Sequence, residues 1–220
     1  MESALTFLKA LKENNNRDWF NANKDWYTKS SEEFKSFINL LIAGISGFDD
    51  SLKAVDAKEC IFRIYRDVRF SPNKEPYKTN FGAYMAKGGR KSIYAAYYFH
   101  LDAESSFISG GIYMAEPDVM KQIREDIDIY SDEFLAILNE KRFKSTFNFF
   151  ENEKLSRVPK GFDKDSPMAE YLKFKHITPY RDLTEKEICT DKLLDITLDT
   201  YKTLKPLNDF INRSVKGLKG

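Results

Sequence analysis

Arg63, Arg66, Arg69, Lys74 and Lys78 fall within sixteen consecutive residues, RIYRDVRFSPNKEPYK, together with Tyr65, Tyr77 and two prolines. Cations gathered this closely suit a phosphate or a carboxylate. Arginine's planar fork makes two parallel hydrogen bonds to such a group, and lysine adds a point charge. The prolines stiffen the SPNKEP loop, and charge already held in place loses less freedom when a ligand arrives. The segment therefore reads as a binding site for a small anionic ligand. Arg69, Lys74 and Lys78 would take the charge, Tyr65 and Tyr77 would orient the ligand, and Asp67 is the acid/base candidate if chemistry follows. A structural reading competes with this one, because Tyr and Arg on one sheet face also form cross-strand pairs and ion networks.

The local geometry expected here is a strand. Phe62, Ile64, Val68 and Phe70 alternate with Arg63, Tyr65, Asp67 and Arg69, as in a half-buried strand starting near Cys60. Arg63 and Asp67 would then serve pairing or orientation. Arg66 falls on the apolar side, so it must snorkel, pair with a helix acid, or mark a bulge.

Residues 61–91 carry eight Lys or Arg against two acids, a local excess of +6 in a chain whose total is +1. Such asymmetry can recruit an anion although the whole molecule is nearly neutral. A second basic loop, LSRVPKGFDKD at 155–165, follows Lys154 and contains Arg157, Lys160 and Lys164. If it lies beside the first, the two form one basic cleft to which Lys160 contributes. Elsewhere, His100, Asp102 and Glu104 mimic a metal or acid/base set, but their place at a turn argues against one. His176 suits an anion contact or a satisfied structural role. Gly82, Gly110 and Gly111 interrupt strand patterns, which marks close approach of either a ligand or a helix. Tyr94, Tyr97 and Tyr98 could wall a base or sugar, or fill the core.

The fingerprints of several familiar enzyme classes are missing, which does not exclude an unfamiliar enzyme. No GxSxG, GxxxxGK[ST] or GxGxxG occurs, so no cofactor is expected. Cys60 and Cys189 form no metal-binding motif, no metal is expected, and two lone cysteines fit a reducing, cytoplasmic setting. The start MESALTFLKALKENNNRDW has no signal-peptide pattern, and no apolar run is long enough for a membrane. The alternative is a binding module for nucleic acid or a protein partner: basic charge interleaved with aromatics fits single strands, and the near-neutral total stands against it.

The elements that would position these residues follow from periodicity. Leu5, Leu8 and Leu11 predict a helix over 3–14, and a long helical pattern runs from Asn16 or Asp18 to about Ile45, with a kink expected at YTKSSEE. Strands are expected at 60–70, 78–86, 92–101 and 107–113, with a tight hairpin at KGGR (87–90). Helices follow from Pro117, over 131–140, from Ser166-Pro167 to Phe174, and from Leu193, with Pro206 bending or interrupting the last. Residues 141–165 are mixed, KHITPYRDL is extended, and TEKE (184–187) has capping-box form. The expectation is one α+β domain over 1–220: a central antiparallel meander of about four or more strands at 60–114, flanked by helices from 3–48 and 117–213.

NNNRDWF, RIYRDVRFSPNKEPYKTNFGAY, YAAYYFHL, SGGIYMAEPDVMKQIR and VPKGFDKDSPMAEYLKFKH together cover most of the chain. In these stretches the sequence resembles a family of mainly bacterial and fungal proteins catalogued as a domain of unknown function, DUF2461. The resemblance implies a single α+β domain of this length. It carries no activity, cofactor or catalytic residue.

Overall fold

Leu5, Leu8 and Leu11 fall on one side of α1 (Glu2–Glu13) and are buried with Ala4 and Phe7. Asn16 caps α2 (Arg17–Ala22) by accepting the Trp19 N–H at 2.9 Å. The helical pattern to Ile45 is not continuous. It breaks at Asn23, whose side chain donates to the Trp19 carbonyl at 2.8 Å and so competes with the helix ladder. From there α3 (Lys24–Ser46) runs unbroken through YTKSSEE. This computed structural model describes residues 1–149 and 153–218.

After α4 (Ala57–Cys60) the expected strand over 60–70 does not form. The Phe62 N–H donates to the Gly82 carbonyl at 3.0 Å and Ile61 bridges Ala83, but the chain then leaves the sheet. It pairs instead with its own return. Tyr65 bridges Tyr77, the Arg66 N–H donates to the Pro76 carbonyl at 2.9 Å, and the Lys78 N–H to the Ile64 carbonyl at 2.8 Å. Residues 67–75 form a protruding loop in which Phe70 is 95% exposed. The expected apolar face therefore does not exist beyond Ile64, and Arg66 is not on a core side.

The sheet consists of β1 (Asn80–Met85), β2 (Ala96–Asp102), β3 (Ser106–Gly111) and β4 (Tyr180–Leu183), antiparallel and in that order. The meander is as expected, but its fourth strand comes from the extended KHITPYRDL stretch. The tight hairpin at KGGR is replaced by a longer connection over 86–95, in which Gly88 and Gly89 have φ of +85° and +79°. Arg90 Nη1 ties this connection to the Glu59 carbonyl at 2.9 Å.

Helices α5 (Pro117–Ile129), α6 (Ser131–Asn139) and α7 (Lys141–Thr146) follow β3. Within the mixed stretch, residues 150–152 lie outside the described residues. Ser166 does not start a helix to Phe174. It braces a turn by accepting the Met168 N–H at 3.1 Å, and α8 is only Ala169–Leu172. Thr184 and Glu187 close the capping box of α9 (Glu185–Ile188). The last helix, α10 (Leu193–Val215), continues through Pro206.

One hydrophobic core extends from Ala4 to Val215, and these elements make an α+β fold. Helices α1, α3 and α10 cover one face of the sheet. Phe81 packs on Phe7 and Phe34, Phe99 on Phe37, and Tyr97 on Tyr201, with ring centroids 5.0–6.3 Å apart. Gly110 permits the contact with α10, because a Cβ there would overlap the Leu204 side chain. Among the described residues no helix is long and apolar enough to cross a membrane.

Candidate ligand site

Strand alternation that sends Phe81, Tyr97 and Phe99 to the helices sends their neighbours to the other face. Register aligns Gly82, His100 and Phe107 in one row, and Tyr84, Tyr98 and Ser109 in the next. Over these rows lies a cleft of about 330 Å³, at the lower end of the range for small-molecule sites. Its walls are mostly rings: Phe62, Tyr84, Tyr98, His100, Phe107 and Tyr113. Glu153 and Thr178 complete the rim.

Each wall residue is held by something specific. The Tyr98 hydroxyl lies 2.9 Å from His100 Nδ1, and the Asn80 amide nitrogen 3.5 Å from the same atom. Gly82 makes room for this, since a Cβ there would stand 2.6 Å from the Tyr98 hydroxyl. The His100 ring stacks on Phe107 at 4.5 Å. Tyr84 donates to the Tyr94 carbonyl at 3.1 Å, and Ser109 to the Pro179 carbonyl at 2.8 Å. Tyr113 packs on His176 at 4.5 Å. His176 Nδ1 in turn accepts the N–H of Met114, which has a left-handed φ of +50°. His176 thus holds the turn that presents Tyr113. Gly111, at φ +82°, lets this segment run against the Ile177 backbone.

Burial pushes the His100 imidazole down to about 4; Asp102 opposes this and Lys78 adds to it. The ring is therefore neutral near pH 7. Desolvation pushes the Tyr98 and Tyr84 phenols well up, so both keep their protons. Lys78 sits at the edge, its Nζ 5.4 Å from the centre of the Phe62 ring. Burial, and Arg63 beside it, hold the Lys78 ammonium below its ordinary value. Neither Lys78 nor Arg63 is in an ion pair among the described residues.

Residues 3–210 match the family described as Conserved hypothetical protein (DUF2461). The chain belongs to this family. No curated protein and no solved structure matches it. The description of DUF2461 assigns no activity, so function has to be read from the site itself.

In this DUF2461 chain the sixteen-residue signature divides in two. Lys78 packs against Phe62 of the cleft wall, and Arg63 is its electrostatic neighbour. The rest braces its own loop. Arg69 forks onto Asp67 at 2.9 and 2.6 Å, which holds that carboxyl below its usual range. Arg66 donates to the Glu75 carbonyl at 3.1 Å and to Ser71 at 3.3 Å, with the Glu75 carboxylate 3.8 Å away. Lys74 donates to the Val68 carbonyl at 3.1 Å. Tyr77 is buried with its ring 3.9 Å from Phe20, and its backbone is clamped by the Asn15 side chain at 3.0 and 3.2 Å. Tyr65 packs on Phe20 and Tyr77 yet stays 47% exposed.

Lys160 is exposed in a separate loop, whose hydrogen bonds and ion pairs within 155–165 run to its own residues, Ser166 and Lys173. His100, Asp102 and Glu104 form no triad. Asp102 accepts the Glu104 and Ser105 N–H groups in the turn, and Glu104 pairs with Lys12. Among the described residues no group of three or more His, Cys, Asp or Glu could hold a metal ion. The cleft residues missed by sequence reasoning are Phe62, Tyr84, Phe107, Ser109, Tyr113, Glu153 and Thr178. The signal available for them was the run of rings and glycines on alternating strand positions, and it pointed to Tyr98 and Gly82.

Proposed function

We propose that the protein binds a small molecule with a planar, largely apolar body and one anionic group. The body occupies the ring-lined cleft, and the phosphate or carboxylate lies against Lys78 and Arg63. The observation that carries this reading is Lys78, in no ion pair among the described residues and set against the Phe62 wall of a formed cleft with burial and Arg63 lowering its pKa, while Arg66 and Arg69 are already matched by Glu75 and Asp67. An ammonium held below its usual pKa by burial and a neighbouring guanidinium gains most from an incoming anion. A cytoplasmic setting belongs to the same reading, with Cys60 and Cys189 both free.

A thermal-shift screen of aromatic acids and aryl or nucleoside phosphates tests it, because a ligand of the native state alone raises the melting temperature. Lys78→Ala and Arg63→Ala should each weaken the response about tenfold, the size of a lost charge-assisted hydrogen bond, and leave the unliganded melting temperature nearly unchanged. Equal responses in wild type and both variants would refute the assignment of the anion to these two residues.

A second reading, a surface for single-stranded nucleic acid, is favoured by the exposure of Phe70 and Tyr65 on a basic segment. It requires affinity that rises with oligonucleotide length and falls steeply with salt.

A further inference from the structure

The cleft holds one polar group whose orientation its neighbours fix. The Asn80 amide nitrogen, 3.5 Å from His100 Nδ1, and the Tyr98 hydroxyl, 2.9 Å from it, can both donate, so an accepting Nδ1 suits the pair. A neutral imidazole whose Nδ1 accepts carries its proton on Nε2. That N–H has no protein partner among the described residues, and its ring lines the cleft. Open to the cleft, it is a donor available to whatever enters. Three residues from two strands combine to hold the arrangement: Gly82 vacates the space, Tyr98 fills it, and His100 is aimed.

We propose that His100 meets the ligand as a hydrogen-bond donor through Nε2, with Tyr98 and Gly82 as positioning residues. The ligand body is then a heteroaromatic ring bearing an oxygen or nitrogen acceptor, and the ligand has the chemistry of a nucleoside monophosphate. This rests on the ligand reading above and narrows it. The rings supply stacking surfaces that tolerate any base. His100 supplies one contact to the base edge, and Lys78 with Arg63 takes the phosphate.

The experiment uses the full chain labelled with ¹⁵N at histidine. It is titrated with guanosine monophosphate, uridine monophosphate and 1-naphthyl phosphate, the last a planar phosphate without a ring acceptor. In the free protein, His100 should show a bare Nδ1 and a protonated Nε2, and Tyr98→Phe should mix the two tautomers. Either nucleotide should shift the Nε2–H resonance and bind about tenfold tighter than naphthyl phosphate. His100→Leu should erase that preference, and His100→Gln, which keeps an amide donor, should retain most of it. A protonated Nδ1 in the free protein would overturn the proposal. So would equal affinity for naphthyl phosphate, which would leave the binding of planar anions standing. If none of the three compounds binds, both the proposal and the reading it rests on fall.

Discussion

His100 combines burial with a nearby cation, and the combination fixes its sign of pH dependence. Its imidazole titrates near 4 in the fold, against an ordinary value of 6.5. Between those values the unfolded chain binds the proton and the native state does not. The contribution is therefore complete above pH 6.5 and is lost as pH falls towards 4. Its size is roughly 3 kcal/mol from the linkage relation. Carboxylates titrate in part of this window, so the comparison has to be made against His100→Gln. Urea unfolding at pH 7 and pH 4.5 should show wild type losing more stability than the variant; matching losses would mean that His100 is not buried neutral. None of this was legible in HLDAE. There the histidine stood beside two acids, which invited a metal or acid/base reading. What decides its role is Tyr98 two residues earlier on the same face, and Gly82 across the ladder.

At the scale of elements, the signature shows why period-two patterning can mislead. Residues 62–70 alternate apart from Arg66, but a strand also needs a partner ladder, and the chain leaves β1 after Phe62. Two prolines in the return segment cannot donate to a ladder, and the charged side chains bond to their own loop instead. The consequence is that Phe70 is held out in solvent and contributes no packing. Phe70→Ser should shift the melting temperature by less than the effect of about 0.5 kcal/mol typical of surface changes. Asp67→Asn should be as mild for stability, because an exposed pair contributes little, while freeing the Arg69 guanidinium. If the cleft is the binding site, neither substitution should change ligand affinity. A marked loss in Asp67→Asn would instead return the site to the loop that the sequence first indicated. The helices were more legible than this loop. Capping at Asn16 and Thr184 and the apolar spacing of α1 are local signals, whereas the provenance of the fourth strand is a long-range one.

At the scale of the whole molecule, the sheet separates two tasks. One face is sealed by α1, α3 and α10, and the other carries the cleft. The three glycines that interrupt the strand patterns meet different neighbours, which sequence alone could not decide: Gly110 meets α10, Gly82 meets Tyr98 on the cleft face, and Gly111 meets the Ile177 backbone. Gly110 faces α10, where a Cβ would overlap Leu204 and stand 2.5 Å from the Ala96 carbonyl oxygen. Backbone cannot give way as a side-chain tip can, so Gly110→Ala should destabilise the fold by about 3 kcal/mol, at the upper end of overpacking costs. Gly82 faces the cleft, and its obstacle is the hydroxyl end of the Tyr98 ring, a side chain rather than backbone. Gly82→Ala should therefore cost only about 1 kcal/mol, because the Tyr98 ring can tilt into the open cleft. That tilt should release His100 from its fixed tautomer. Chemical denaturation of both variants, with the histidine ¹⁵N spectrum of Gly82→Ala, separates the outcomes. Comparable destabilisation of the two would mean that the second face is packed as tightly as the first, and that no room for a ligand exists there.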